Sequence, residues 1–408
     1  MITESKSCRL CGGLIKEIAY LCDSPPANNF DSTFQKNKTL AFPLAIDFCK
    51  NCSNIQLRHC LGEDLLYSDY TYITPKSESL QNHYDSLKCY SVKKIKNLKD
   101  IDVVEIGSNS GDLLKFLKPF VGSVLGVDPA KNVAKIANEA GIETLNCFFN
   151  QSIADKIKLN KKLVNLVIAR HMFAHNSNPS EMLNGMKNLI NDDGLIFIEN
   201  AYAIDTFMHG EFDQIYHEHM FFYSVKSMEN LLIKNGLHLH DILFSDVHGG
   251  SIVFIVTKRN IGKTEKLKAQ IKLEDSLFKD DKIFKVFINK IEEVKKFINK
   301  KIKYAKENNL TIAAYGAPAK AFTMFALLGL NKETIKFCVD TSPTKIGKSF
   351  PIFDIPIISE EAMQDESYDV LLVTAWNYKS DILNKAPKIF QSGTELIFPL
   401  PEPTSMKV

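Results

Sequence analysis

The 408-residue sequence predicts an α/β protein: a Rossmann-like central domain, a second C-terminal α/β (Rossmann-like) domain, and a small N-terminal metal-binding module. Three observations predict it. Two CxxC pairs lie near the N-terminus, short apolar runs alternate with helix-like segments from Ile101 onward, and a second strand–turn–helix pattern begins at Thr311. The length calls for two or three domains, and the boundaries fall at residues 1–75, 76–260 and 261–408.

The first segment is rich in turn formers and short on helical periodicity, as a loop-and-strand module is. Between Ser77 and Leu98 the pattern becomes helical, with Leu80, Tyr84, Leu87 and Ser91 on one face. The runs Ile101–Ile106, Val121–Val127, Leu163–Ala169 and Leu195–Glu199 read as strands of a mostly parallel sheet. The helical segments Asp112–Lys118, Asn132–Ala140 and Pro179–Ile190 lie between them. Leu237–Phe244 and Ser251–Thr257 are placed to pair as an antiparallel end to that sheet. From Lys263 to Asn309 the chain reads as one or two amphipathic helices whose lysines form a solvated face. Strands at Thr311–Tyr315, Ile335–Asp340, Val370–Ala375 and Leu396–Pro399, with a helix ending at Leu328, complete the C-terminal domain.

A net charge of +2, from 50 basic and 48 acidic residues, leaves no electrostatic footprint for nucleic acid or an anionic membrane. No signal-peptide or bilayer-length apolar segment is present, so the expected compartment is the cytoplasm. Nothing marks a self-association surface, and a monomer is the default.

Cys8-x-x-Cys11 and Cys49-x-x-Cys52 carry the first chemistry. Two such turns place four thiolates at the corners of a tetrahedron, which suits a structural zinc ion better than a disulfide framework in a reducing compartment. With all four positions filled by protein, the metal contributes folding free energy and no Lewis acidity.

Next comes Glu105-Ile106-Gly107-Ser108-Asn109-Ser110-Gly111-Asp112, where a strand ends in a glycine-rich turn and a helix begins. The backbone there can approach a ligand closely and the helix offers free amides. Gly107 and Gly111 do not match the G-x-G-x-x-G dinucleotide spacing. One unit on, Asp128 before Pro129 stands where an acid accepts hydrogen bonds from ribose hydroxyls.

Tyr216-His217-Glu218-His219 and His175 form a third group. Alternation on a strand would put His217 and His219 on one face with Glu218 opposite. By residue type alone, acid–base duty and an ordinary hydrogen-bonded cluster both stand open. A fourth pair of segments, His248-Gly249-Gly250-Ser251 and Tyr315-Gly316-Ala317-Pro318-Ala319-Lys320, offers a turn and a lysine suited to phosphate; a plain strand–helix loop fits them as well.

The succession of Cys8, Cys11, Cys49, Cys52, Tyr72, EIGSNSG, His175, YHEH, HGGS and YGAPAK resembles the sugar C-methyltransferase family of deoxysugar biosynthesis over nearly the whole chain. The resemblance implies a zinc module, an S-adenosylmethionine (SAM) domain, and a C-terminal α/β domain that helps hold a nucleotide-linked keto sugar. It implies SAM contacts from Glu105, Gly107, Ser108, Asn109, Gly111, Asp128, Pro129 and Ala169. It makes His219 the general base, surrounded by His175, Tyr216, Glu218 and Tyr72, and assigns His248, Gly249, Gly250, Ser251, Tyr315, Gly316 and Lys320 to the substrate. Two departures stand out. Ser110 replaces an acid, with Asp112 close by, and Ile252 and Val253 follow HGGS where a basic residue is expected. That second departure opens the alternative of O- or N-methylation of another sugar or phosphorylated metabolite. A non-catalytic zinc-containing binding protein is the alternative from another class.

Overall fold

The computed structural model describes residues 2–32, 40–62, 66, 74, 77–95, 97–161 and 163–408. Its centre is a seven-stranded sheet in the spatial order His238–Ser245, Ser251–Thr257, Ile190–Ala201, Val164–Arg170, Asp102–Ile106, Ser123–Val127, Thr144–Leu145. The last five of these are mutually parallel, and Ser251–Thr257 runs antiparallel to both its neighbours. The parallel part follows the doubly wound order, with its switch point between Asp102–Ile106 and Val164–Arg170. Their apolar runs are buried on both faces, which is why they read as continuous rather than alternating. The predicted terminal hairpin forms as expected, from His238 to Thr257.

The helix Glu78–Lys94 leads into this sheet. Ser77 caps it by accepting from the Leu80 amide at 3.2 Å, and Leu80, Tyr84, Leu87 and Ser91 are buried as the periodicity predicts. The long amphipathic stretch is two helices, Glu265–Phe278 and Lys282–Glu307, joined through left-handed residues Asp280 and Asp281. The shorter of the two and the helix Val225–Lys234 are tied together by Glu274, whose carboxylate accepts from the amides of Val225 and Lys226.

A second sheet has eight strands in the order Thr404–Lys407, Glu395–Phe398, Val370–Val373, Ile312–Tyr315, Cys338–Val339, Ile355–Ile358, Lys348–Phe350, Asp31–Ser32. Its five central strands are parallel. Thr404–Lys407 escaped the sequence reading because it is a short, largely exposed edge strand, and Lys348–Phe350 because three residues carry too little pattern to mark a strand. The edge strand Asp31–Ser32 belongs to the N-terminal module, and Phe30 beside it packs edge-on against Phe322 and Phe350 at 5.1 and 5.2 Å.

The N-terminal module is also joined to the centre. Its sheet orders Phe221–Phe222, Asn54–Leu57, Phe42–Cys49 and Ile15–Ser24, so its edge strand comes from the segment that directly follows Tyr216–His219. Among the described residues no helix is long and apolar enough to cross a membrane.

Candidate active site

Glu105, one residue before the end of its strand, and Arg170, at the end of the neighbouring parallel strand, lie at the switch point, the crevice where doubly wound sheets bind ligands. Glu105 is fully buried. Arg170 Nε donates to its Oε1 at 3.0 Å, yet burial still pushes the carboxyl up to about 7. The chain then turns through Gly107 and Gly111, both at positive φ (69° and 76°). Asn109 and Ala130 amides donate to the two oxygens of Asp128 at 2.8 and 2.9 Å; burial pushes its pKa up and those two bonds oppose the shift. Ser110 Oγ donates to Asp112, so the acid missing at position 110 stands two residues on, bonded to the serine. Glu105 Oε2 and Ser108 Oγ are buried with no hydrogen-bond partner among the described residues. Unsatisfied acceptors under a glycine turn fit a ligand bearing an ammonium and hydroxyl groups, as SAM does. Ala169 is buried in the strand facing Ile106, and Pro129 is exposed with its carbonyl accepting from Asn146.

Beside this crevice lies a cavity of about 760 Å³ between the two sheets' carboxyl ends. His175 and His219 face each other in its wall, their ring centroids 5.1 Å apart. His219 Nδ1 donates to the Gln214 carbonyl at 2.7 Å, and Tyr216 Oη lies 2.7 Å from its Nε2. Burial, and for His175 the neighbouring rings, hold His219 down to about 4 and His175 well below the usual imidazole range, so both are neutral at neutral pH. Glu218 also lines the cavity. Burial pushes its carboxyl up to about 7, opposed by Asn28 Nδ2, which donates to Oε1 at 3.0 Å.

The segment Tyr216–His219 is a turn, not a strand. The expected alternation therefore fails. Glu218 and His219 both line the cavity, while His217 turns away and packs edge-on to Phe42 at 6.1 Å. The glycine turn after Glu105 and the histidines are linked through Met172. A Cβ at Gly107 would lie 2.6 Å from Met172 Cγ, and the Phe173–His175 turn follows immediately.

The C-terminal domain supplies the opposite wall: Tyr315, Gly316, Lys320, Asp340, Ser342, Lys345 and Lys385 among others. Lys320 stands directly before the helix Ala321–Leu328. Its Nζ lies 3.9 Å over the Trp376 ring and 3.7 Å from Asp213, and burial lowers its pKa. Gly249, Gly250 and Ser251 are not part of the described cavity lining. A Cβ at Gly249 would meet Trp376 and one at Gly250 would meet Asp205, while Ser251 Oγ donates to the Val247 carbonyl. Tyr72 and the side chain of His248 lie outside the described residues.

The four cysteine sulfurs Cys8, Cys11, Cys49 and Cys52 lie within 4.8 Å of one another. Cys8, receiving hydrogen bonds from Cys52 and Asn54, is held down to about 4, while burial pushes Cys49 up to about 11 and the bond to Cys8 raises Cys52. One thiolate is thus favoured and further ones repel it, so the donor set fits a cation that would neutralise all four.

A C-methyltransferase C-terminal domain model matches residues 246–401, and a methyltransferase domain model matches residues 81–242. The chain is 34% identical over 403 residues to the C-methyltransferase NovU of Streptomyces niveus, covering 97% of this chain and 96% of that one. The chain belongs to the C-methyltransferase family. It is a SAM-dependent methyltransferase, as the resemblance implied. Solved structures similar to it include magnesium protoporphyrin IX methyltransferase from Synechocystis PCC 6803 with bound SAM (14% identity, 46% of this chain and 88% of that one, TM-score 0.35). Another is the YcgJ protein from Bacillus subtilis (14% identity, 44% and 99%, TM-score 0.34).

Several site residues of this C-methyltransferase escaped the sequence reading. Asn28 comes from a proline-rich turn without periodicity, and its contact with Glu218 exists only in three dimensions. His171 lines the cavity at φ 49°, with Nε2 3.4 Å from the fully buried Glu199. His83 Nε2 lies 2.8 Å from the same carboxylate. Burial opposes charge on Glu199, yet His171 and His83 hold it well below the carboxylate range. Here a signal existed: Arg170 and Glu199 are charged residues closing apolar strand runs, and they pair in register.

Proposed function

We propose that this C-methyltransferase methylates the carbon beside the ketone of a nucleotide-linked keto sugar, by way of an enolate. The observation that carries the reading is the neutral His175–His219 pair, 5.1 Å apart, facing a cavity that also receives lysines from the C-terminal sheet. SAM supplies an electrophilic methyl on sulfonium. His219 Nε2, kept as the basic nitrogen by the Gln214 carbonyl, takes the proton from carbon. Negative charge moves to the ketone oxygen, where His175 and the Tyr216 hydroxyl, which leaves Nε2 as substrate enters, supply donors. Glu105, Gly107, Ser108, Asn109, Gly111, Asp128, Pro129 and Ala169 hold the donor. The enclosing walls exclude water and align carbon with the methyl group. Tyr315, Gly316 and Lys320, joined by Lys345 and Lys385, face the substrate's phosphates. Lys345 and Lys385 supply the positive charge absent after HGGS, where Ile252 and Val253 are fully buried in the sheet. The four cysteines hold a structural zinc ion, and the three segments 1–75, 76–260 and 261–408 act as zinc, methyl-donor and substrate units.

The test is methyl transfer from labelled SAM to a panel of nucleotide-linked keto sugars, with the product methyl located by NMR. A methyl on carbon beside the ketone is expected. A methoxy or N-methyl product would reject the reading.

A further inference from the structure

We propose that Arg9, inside the first CxxC turn, is a positioning residue for the His175–His219 pair, coupling order at the cysteine cluster to the catalytic loop. The inference rests on the reading above for its catalytic meaning, but its contacts stand apart from any substrate. The turn is tightly closed: Cys8 accepts from the Gly12 amide and donates to the Gly13 carbonyl, both at 2.8 Å. Arg9 N donates to Gln56 Oε1 at 2.9 Å, fixing the residue against the module's sheet. Its guanidinium then reaches across. Nη2 donates to the Leu57 carbonyl at 2.6 Å and to the Met220 carbonyl at 2.9 Å, Nη1 donates to Cys60 Sγ, and the plane lies 4.5 Å from the Phe221 ring centroid.

Met220 is the junction that gives these contacts a consequence. Its carbonyl also accepts from the Leu57 amide at 3.1 Å, and its own amide donates to the Ala174 carbonyl at 3.0 Å. His219 precedes Met220 and His175 follows Ala174 in the chain. One residue therefore ties together the two loops that carry the imidazoles, through its amide, while Arg9 clamps its carbonyl to the cysteine turn. Burying a guanidinium among carbonyls costs desolvation that an apolar side chain of similar volume would avoid. What the fork adds is geometry: Nη2 bonds the carbonyls of Leu57 and Met220 while Nη1 reaches Cys60 Sγ, a set that the single nitrogen of a lysine reproduces only in part. A base must sit within hydrogen-bond reach of its proton, and a misplacement of about 1 Å costs on the order of a hundredfold in rate.

The experiment uses full-length Arg9→Gln and Arg9→Lys, with metal content and SAM affinity by calorimetry measured alongside. Side-chain resonances of His175 and His219, assigned through His175→Asn and His219→Asn, report on the pair without substrate. They are expected to move in Arg9→Gln and to return partway in Arg9→Lys. Metal content and SAM affinity are expected to stay at wild-type values, and kcat to fall by roughly ten- to a hundredfold with KM little changed. Unmoved histidine resonances overturn the proposal. So does loss of metal from folded Arg9→Gln, which would make Arg9 part of the metal site, or a rise in KM at constant kcat. If Arg9→Gln does not accumulate as folded protein, the resonances of Arg9→Lys decide by the same criterion. Wild-type protein that transfers no methyl to carbon would reject the proposed function and leave the resonance result standing.

Discussion

Nδ1 of His219 donates to the carbonyl of Gln214 across 2.7 Å, and because a carbonyl only accepts, the proton of the neutral ring is fixed on Nδ1. Nε2 is left with its lone pair, and the Tyr216 hydroxyl donates to it at 2.7 Å. The backbone thus sets the tautomer, and the basic nitrogen is the one nearest the tyrosine.

Replacing His219 with Ala removes that nitrogen and leaves the donor turn untouched. Turnover should fall by on the order of 10²- to 10⁴-fold, the range for loss of a general base, with SAM affinity by calorimetry unchanged. Comparable turnover in both proteins would take His219 out of the chemistry.

Acid sensitivity follows from the same burial. His217 and His219 both titrate near 4 in the fold, held down by burial, against 6.5 for a solvated ring. Above pH 6.5 both are neutral folded or unfolded. Between 6.5 and 4 only the unfolded chain takes up these protons, so the rings' contribution to stability falls as pH drops, by about 1.4 kcal/mol per pH unit for each ring. Glu105 and Glu218, pushed up to about 7, work the other way over the same range, so the ring's share is read as a difference: from pH 7 to pH 5 the urea midpoint of wild type should shift further toward instability than that of His217→Gln. An equal dependence in wild type and variant would refute the assignment. Activity obeys a related sign rule: the base needs a neutral ring, so His219 adds no limb near 6.5, and a limb near 7 in kcat/KM belongs to the Glu105 and Glu218 carboxyls and should weaken in Glu218→Gln.

The Glu105–Arg170 pair is buried at the sheet's switch point, where one partner without the other is costly. Arg170→Met strands the carboxylate, raises its pKa further, and should cost about 3–5 kcal/mol in urea unfolding. Adding Glu105→Gln should recover much of that stability. Additive losses in the double mutant would show that the two side chains act independently.

Cys49→Ser removes one of four sulfurs lying within 4.8 Å of one another. Three ligands hold a structural zinc poorly, so the variant should be zinc-deficient by metal analysis and prone to misfolding. Full zinc occupancy would contradict the assigned site.

How much of this was legible in sequence depends on the range of the interaction. Local patterns carried far: the helix that starts after Ser77, its Leu80–Ser91 face, the strand Asp102–Ile106 and the two CxxC pairs all follow from spacing within a few residues. Long-range pairing did not. Asp31–Ser32 joins the C-terminal sheet through three hundred intervening residues, and Asn28 meets Glu218 with no motif to announce either contact. The strand reading of Tyr216–His219 failed for a related reason. Four consecutive polar or aromatic residues carry no period to separate turn from strand, and what holds this turn is its bonding to Gln214 and to the rest of the fold.

Gly107 tests the link between donor turn and histidines. It sits at φ 69°, and an added Cβ would lie 2.6 and 2.9 Å from Met172 Cγ and Cβ. Gly107→Ala must therefore strain the backbone and push Met172, which directly precedes the Phe173–His175 turn. Gly141 separates the two effects, because at φ 78° it has nothing within 4 Å of an added Cβ, so Gly141→Ala brings strain of about 1–2 kcal/mol without collision. SAM affinity by calorimetry should fall at least about tenfold in Gly107→Ala, the equivalent of 1.4 kcal/mol, and stay at the wild-type value in Gly141→Ala. The His175 resonances should move in the first variant only. If Gly107→Ala binds SAM as wild type does, the turn after Glu105 is not where the donor is held, and the cavity must be read without it.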